Sequence, residues 1–226
     1  MISGETRLVG LLGDPVSGSL SPLMQNAAFA AAGLDWAYVP LPVKQEGLED
    51  ALRGLVALGF VGANVTTPHK LAVAKLVAAD TASVNTLVVR DGRIEGHSTD
   101  AAVLSGLDFE RFVILGDGGA AAAFAEAVPQ AIRFSRRSGW PPDVAGADVV
   151  INATSEREAV LVELDPDQTL IDLPYPATAT ARAAEKAGTR VIDGLDVLVA
   201  QGAAAFELWT GFPAPVDVMR AAVLSA

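Results

Sequence analysis

Phe112-Val113-Ile114-Leu115-Gly116-Asp117-Gly118-Gly119-Ala120-Ala121 carries more architectural information than any other ten residues of this chain. Phe112–Leu115 reads as a short buried strand. Gly119–Val128 is Ala-rich and reads as a helix, and the glycines between them demand a tight turn. A strand–turn–helix of this composition lets an anion approach the backbone closely. It also aims free N–H groups and the positive end of a helix at that anion. Gly116-x-Gly118-x-x-Ala121 has the spacing of a dinucleotide-binding turn, with Gly116, Gly118, Gly119 and Ala120 as the contact positions. The alternative is a tight turn without a ligand. Asp117 weighs toward that alternative, because a carboxylate beside a phosphate is repulsive unless it points away.

Outward from this turn, strands and helices alternate in both directions. Ile132–Ser135, Asp148–Asn152, Thr169–Leu173 and Arg190–Ile192 read as further strands, with Ala177–Ala187 as a helix. Upstream, Leu8–Leu12, Trp36–Pro40 and Gly62–Val65 read as strands, and Pro22–Ala32, Gln45–Leu58 and His69–Val77 as helices. Val84–Arg90 and Arg93–Gly96 flank Asp91-Gly92, a hairpin signal. Helices from about Val197 to Trp209 and from Val216 to Leu224 close the chain. The pattern predicts an α/β protein with mainly parallel sheets. A domain boundary is expected between Asp100 and Glu110. Only about a dozen residues separate the strands ending near Ser135 and starting near Asp148. Pro141-Pro142 lies among them, so no full crossover helix is expected and this half reads as trimmed.

Composition narrows the function. The 226 residues carry a formal net charge of -11 and no cysteine. The acidic balance argues against a nucleic-acid or anionic-membrane partner. Disulfides and thiolate metal sites are excluded, and two histidines, His69 and His97, are too few for a histidine-based metal site. With no signal-peptide pattern and no uninterrupted apolar span, a cytoplasmic protein is the expectation.

Three segments carry chemistry. Ser135-Arg136-Arg137-Ser138 ends the strand after the glycine turn, where an NAD-type site places Asp or Glu for the ribose hydroxyl. Two guanidinium groups suit a 2′-phosphate instead, hence NADP; a solvated basic loop is the alternative. In Ser19-Leu20-Ser21-Pro22, an extended backbone would point both hydroxyls to one side, where they could grip a carboxylate. Ser21 alone could equally be a helix cap ahead of Pro22. In Asn64-Val65-Thr66-Thr67-Pro68-His69-Lys70, a lysine in the first turn of a helix is opposed by the dipole and can serve in proton transfer; the alternative is a surface lysine.

Ser19-x-Ser21-Pro22, Asn64-Val65-Thr66-x-Pro68-x-Lys70, Val84-Asn85-Thr86, Ser98-Thr99-Asp100, the glycine turn, Ile151-Asn152-Ala153-Thr154-Ser155 and Gln201-Gly202-Ala203-x-x-Phe206-x-x-Trp209-Thr210-Gly211 occur in the order seen in shikimate dehydrogenases. The chain resembles that family over nearly its whole length. The resemblance implies an open α/β substrate domain built from both termini, residues 1–101 and 200–226, with a trimmed Rossmann-type NADP domain, residues 102–199, inserted between. It implies Lys70 and Asp100 as the catalytic pair. Ser19, Ser21 and Tyr175 resemble the carboxylate ligands, and Thr66, Asn85, Asp100 and Gln201 the groups that hold ring hydroxyls. Asn152, Ala153, Thr154 and Gly194 resemble positions where the family's chain passes the cofactor. The implied reaction is the NADP-dependent interconversion of 3-dehydroshikimate and shikimate, on the route to the aromatic amino acids, by a monomer or homodimer. A quinate- or aminoshikimate-preferring relative and a catalytically weakened ligand-binding homologue are the rival readings. Gln25 stands where the family often has His, Ser98 where it has Asn, and Asp117 where it has a small apolar residue.

Overall fold

Among residues 2–226, which the computed structural model describes, ten strands form two five-stranded sheets. The chain divides into two units. One runs up to Thr99 and resumes at Val199; the other is Asp100–Leu198.

The first unit contains β1 (Arg7–Gly13), α1 (Ser21–Ala31), β2 (Trp36–Pro42), α2 (Leu48–Ala57), β3 (Gly62–Val65), α3 (Lys70–Val73), β4 (Thr86–Arg90) and β5 (Arg93–His97). Its sheet has the order β2-β1-β3-β4-β5. The first three strands are parallel, and β4 and β5 continue antiparallel. Asp91 and Gly92 turn the β4–β5 hairpin, both at positive φ (49° and 73°). Such a two-residue turn matches the natural twist of paired strands. Leu48, Leu52 and Leu55 fall on one stripe of α2 and are buried with Leu12, Phe60, Val65 and Leu87. Gln45–Gly47 precedes α2 as a separate 3-10 turn, so the helix expected from Gln45 starts three residues later. The helix expected over His69–Val77 closes after Val73; beyond it shorter turns, Lys75 N–H to Ala72 O and Leu76 N–H to Val73 O, mix with a helical bond, Val77 N–H to Val73 O. His69 is fully buried, with its ring nitrogens against Val43 O and Gln45 Oε1, a structural position in the core.

The second unit contains β6 (Phe112–Leu115), α4 (Gly119–Ala127), β7 (Ile132–Phe134), β8 (Val149–Asn152), β9 (Thr169–Asp172), α5 (Ala179–Ala187) and β10 (Arg190–Ile192). All five strands are parallel, in the order β10-β9-β8-β6-β7. The central strands β6, β8 and β9 are buried at every position, as expected of a sheet covered on both faces. A doubly wound dinucleotide sheet has the order 3-2-1-4-5-6. With β6 as strand 1 and β7 as strand 2, this sheet is that arrangement without strand 3. Residues 135–148 lead from edge strand β7 to β8 with no helix. The trimming expected from Pro141-Pro142 is thus the loss of one strand and its helix. The chain changes direction across the sheet between β6 and β8, the place where such sheets bind their ligands.

Two final helices, α6 (Gly194–Thr210) and α7 (Val216–Leu224), complete the fold. From Val199 onward their residues belong to the first unit. There Phe206 stacks on Phe29 of α1 with ring centroids 5.6 Å apart, and Trp209 Nε1 donates to Leu87 O. No helix among the described residues is long and apolar enough to cross a membrane.

Candidate active site

In the first unit, the loops at the carboxyl ends of β1 and β3 lie side by side, because those strands are parallel neighbours. Thr66 N–H donates to Leu12 O at 2.8 Å, and Asp14 N–H to Thr67 O at 3.1 Å. The serine loop is therefore tied to the segment that carries Thr66 and Lys70. Leu20, at φ -85° and ψ -6°, is helical rather than extended. The extended backbone expected to point the Ser19 and Ser21 hydroxyls to one side does not occur. Ser21 is the first helical residue and Leu20 the cap, and no side chain caps this helix. Ser21 is buried, and its N–H donates to Ser19 Oγ at 3.2 Å. Helix α3 is a single turn, which sums few peptide dipoles, so the opposition of a helix dipole expected at Lys70 is slight. What remains is the position of Lys70, half-buried at the end of the Asn64–Lys70 motif.

Behind these loops is a buried polar network. Asn85 Nδ2 donates to Thr99 Oγ1 (3.0 Å) and to Gln201 Oε1 (3.3 Å), and Asn85 Oδ1 accepts Thr99 N–H at 2.7 Å. Asn64 Nδ2 donates to Asn85 O and Thr86 Oγ1, while its Oδ1 accepts from the Tyr38 hydroxyl at 2.8 Å. Asn85 is 2% exposed. Both its amide hydrogens are engaged by protein groups, one by Thr99 and one by Gln201. Gln25, fully buried, donates from Nε2 to Gly202 O at 2.9 Å and so fixes the backbone next to Gln201. In the sequence, Asn64, Thr86 and Thr99 stand only as motif letters, and Tyr38 carries no signal of a role. Their partners lie up to 26 residues away, and no spacing signal reveals them.

Asp100 and Tyr175 belong to the second unit. Asp100 is buried and opens the 3-10 turn Asp100–Leu104; Tyr175 is half-buried in the loop after β9.

The glycine turn has the geometry a pyrophosphate needs. Gly116 has φ 128°, and a Cβ there would come within 2.9 Å of Ala153 O. Only glycine fits this approach of the turn to the Asn152–Thr154 loop. Gly118 caps α4 without a side-chain bond, which leaves the first N–H groups of the helix open to an anion. Asn152 is fully buried. It donates to Asp172 Oδ1 at 2.7 Å and accepts from Thr154 N–H and Oγ1, which aligns the Asn152-Ala153-Thr154 backbone. Gly194 lies against Pro174 O and Leu173 O, and a Cβ would meet them at 2.4 and 2.6 Å. Asp117 turns toward Arg137, with Oδ2 and Nη1 at 3.5 Å. Arg136 Nη2 donates to Glu156 Oε2 at 2.9 Å. Glu156 Oε1 accepts the N–H groups of Arg157, Glu158 and Ala159. The N–H groups of Glu158 and Ala159, and then the Arg136 guanidinium, hold the Glu156 carboxyl below the usual carboxylate range. The turn, the open helix start and the two arginines after β7 fit a phosphorylated dinucleotide.

Residues 11–87 match the shikimate dehydrogenase substrate binding domain, and residues 194–224 the shikimate 5′-dehydrogenase C-terminal domain. The shikimate dehydrogenase (NADP(+)) of Anaeromyxobacter sp. (strain K) is 41% identical, over 98% of this chain and 97% of that protein. This chain belongs to the shikimate dehydrogenase family. A crystal structure of a shikimate dehydrogenase in complex with NADP+ superposes with a TM-score of 0.92 at 32% identity, over 100% of this chain and 97% of that one. The shikimate 5-dehydrogenase of Thermus thermophilus, solved with NADP(H) and shikimate, gives 0.89 at 27% identity, over 97% and 99%. The alignment with the Anaeromyxobacter member of the family spans 271 positions, more than the 226 residues here, so this shikimate dehydrogenase relative has internal segments that the chain lacks. The missing strand of the second sheet is one place for such a loss.

Proposed function

We propose that this chain is an NADP-dependent shikimate dehydrogenase, a cytoplasmic enzyme that reversibly reduces the ring ketone of 3-dehydroshikimate to the alcohol of shikimate. The observation that carries the reading is the 41% identity to a shikimate dehydrogenase (NADP(+)) across nearly the full length of both chains. The shape of the glycine turn and the arginines at the end of β7 support the cofactor assignment.

When bound, NADP supplies the hydride. The other tasks fall to this chain. Gly116, Gly118, Gly119 and Ala120 offer backbone to the pyrophosphate, Arg136 and Arg137 meet the 2′-phosphate beside Ser135, and Asn152, Ala153, Thr154 and Gly194 shape the wall of the cofactor site. Ser19, Ser21 and Tyr175 grip the substrate carboxylate. Thr66 and Gln201 hold the ring hydroxyls, and Asn85 orients Gln201 for that contact. Lys70 gives a proton to the alkoxide that develops at the ring carbonyl, and takes one from the alcohol in the reverse direction. Asp100 is the second member of the catalytic pair and binds a hydroxyl. The uncapped start of α1 supports the role of Ser21, because its hydroxyl is not spent on the helix end. The Asn85–Gln201 bond supports Gln201 as a ring ligand of fixed geometry.

An absorbance assay of NADP+ reduction by the purified chain, with shikimate, quinate and no substrate, tests the proposal. Shikimate-dependent reduction, faster than with quinate, is expected. Preference for quinate, or no turnover with either acid, would overturn it.

A further inference from the structure

Arg136 sits in a two-residue turn closed by its own ends: Ser135 N–H donates to Ser138 O at 2.8 Å, and Ser138 N–H to Ser135 O at 2.9 Å. The turn follows an edge strand, and no helix comes after it to brace it. An arginine on such a turn has many rotamers, and a phosphate that orders it must offset that lost freedom.

Glu156 supplies a brace from the other side. Three backbone N–H groups, of Arg157, Glu158 and Ala159, fix its Oε1 at 3.1–3.3 Å. Its Oε2 is thereby aimed at Arg136 Nη2. Only one of the five guanidinium donors is needed for this bond, so the remaining edge can still meet a phosphate in a two-point contact. Arg137 has no comparable support, because its Asp117 partner is longer, at 3.5 Å, and half exposed. We infer that Glu156 is a positioning residue that sets cofactor specificity by holding Arg136 ready for the 2′-phosphate. The inference rests on the NADP reading above. Glu156 also carries a charge of the same sign as the phosphate. A phosphate bound on the far edge of the Arg136 guanidinium would have that cation between it and Glu156, and water would further weaken the repulsion.

The test measures dissociation constants of 2′,5′-ADP and 5′-AMP by calorimetry for the wild type, Glu156→Gln, Arg136→Ala and the double variant. Glutamine keeps an oxygen for the three backbone N–H groups but presents an amide NH2 that cannot accept from Arg136. Glu156→Gln is expected to weaken 2′,5′-ADP about three- to tenfold, the scale of ordering one long side chain, and to leave 5′-AMP unchanged. In the Arg136→Ala background it should no longer weaken 2′,5′-ADP, and 5′-AMP should stay unchanged. Unaltered or tighter 2′,5′-ADP binding, equal losses on both ligands, or an undiminished effect without Arg136 would overturn the inference while leaving the NADP reading intact. A wild type that does not prefer 2′,5′-ADP to 5′-AMP would overturn the NADP reading itself, and this inference with it.

Discussion

The Asn85 side-chain amide donates to Gln201 Oε1 at 3.3 Å, across 116 residues of sequence. The bond ties the residue that leads into β4 to α6, the helix by which the chain returns to the first unit. Asn85→Ala removes this bond and leaves Thr99 N–H without its 2.7 Å acceptor. A loss of about 1–3 kcal/mol is expected for an unsatisfied buried group. It should appear as a drop of roughly 2–4 °C in Tm per kcal/mol, together with a higher KM for shikimate. An unchanged Tm would show that the network is not structural.

Lys70→Ala should lower kcat by roughly 10² to 10⁴, the range for loss of a proton-transfer group. Shikimate affinity should change far less, because the carboxylate and hydroxyl ligands remain. Steady-state kinetics decide the matter. A variant retaining more than about a third of kcat would remove Lys70 from the chemistry.

Ser21→Ala and Ser19→Ala should differ. Ser21 makes no capping bond, so its replacement should raise KM without lowering Tm. Ser19 Oγ accepts Ser21 N–H, so its replacement should cost some stability as well. Each removes a bond to a charged carboxylate worth about 1.5–3 kcal/mol, on the order of tenfold to a hundredfold in KM. If an analogue lacking the carboxylate suffers equal losses, the serines do not grip that group.

Acid stability should report on Asp148. Its carboxylate accepts the N–H groups of Glu110 and Arg111 and the Arg111 guanidinium, pinning the start of β6 beside β8. The Arg111 side chain, first, and then the Arg111 N–H hold its pKa down at about 2. A carboxyl depressed on folding stabilises the fold above its unfolded pKa, about 3.9, and loses that contribution as pH falls through the folded value. The stability difference between wild type and Asp148→Asn should therefore be constant from about pH 7 to 5 and vanish toward about pH 2. Denaturant titrations across that range that give a constant difference would rule this out.

Most of the architecture was legible because its signals are local. The glycine turn, the Asp91-Gly92 hairpin and the apolar strand runs each depend on neighbouring residues. The missed features are those set by distant contacts. Helix α3 stops at Val73 although its sequence continues in a helical pattern. Ser21 read as a cap, yet Leu20 takes that place. Pro141-Pro142 announced the missing crossover helix, but the loss of a whole strand was visible only in the sheet order. Of the site, the motif residues could be named in sequence, while the supports behind them could not. Gln25 appeared only as a departure from the family, and Glu156 carries no motif. Its place is set by four hydrogen bonds, three within its own loop and one from the distant Arg136 turn.

The central claim is an NADP-dependent oxidation of shikimate, and the ratio of kcat/KM for NADP+ over NAD+ with shikimate, at fixed ionic strength, tests it most directly. No carboxylate stands within Ser135–Ser138 to hold a free ribose hydroxyl, and two arginines can meet a phosphate. The predicted ratio is at least about tenfold in favour of NADP+, equivalent to about 1.4 kcal/mol, and Arg136→Ala should reduce it. A wild-type ratio near one, or in favour of NAD+, would contradict the claim.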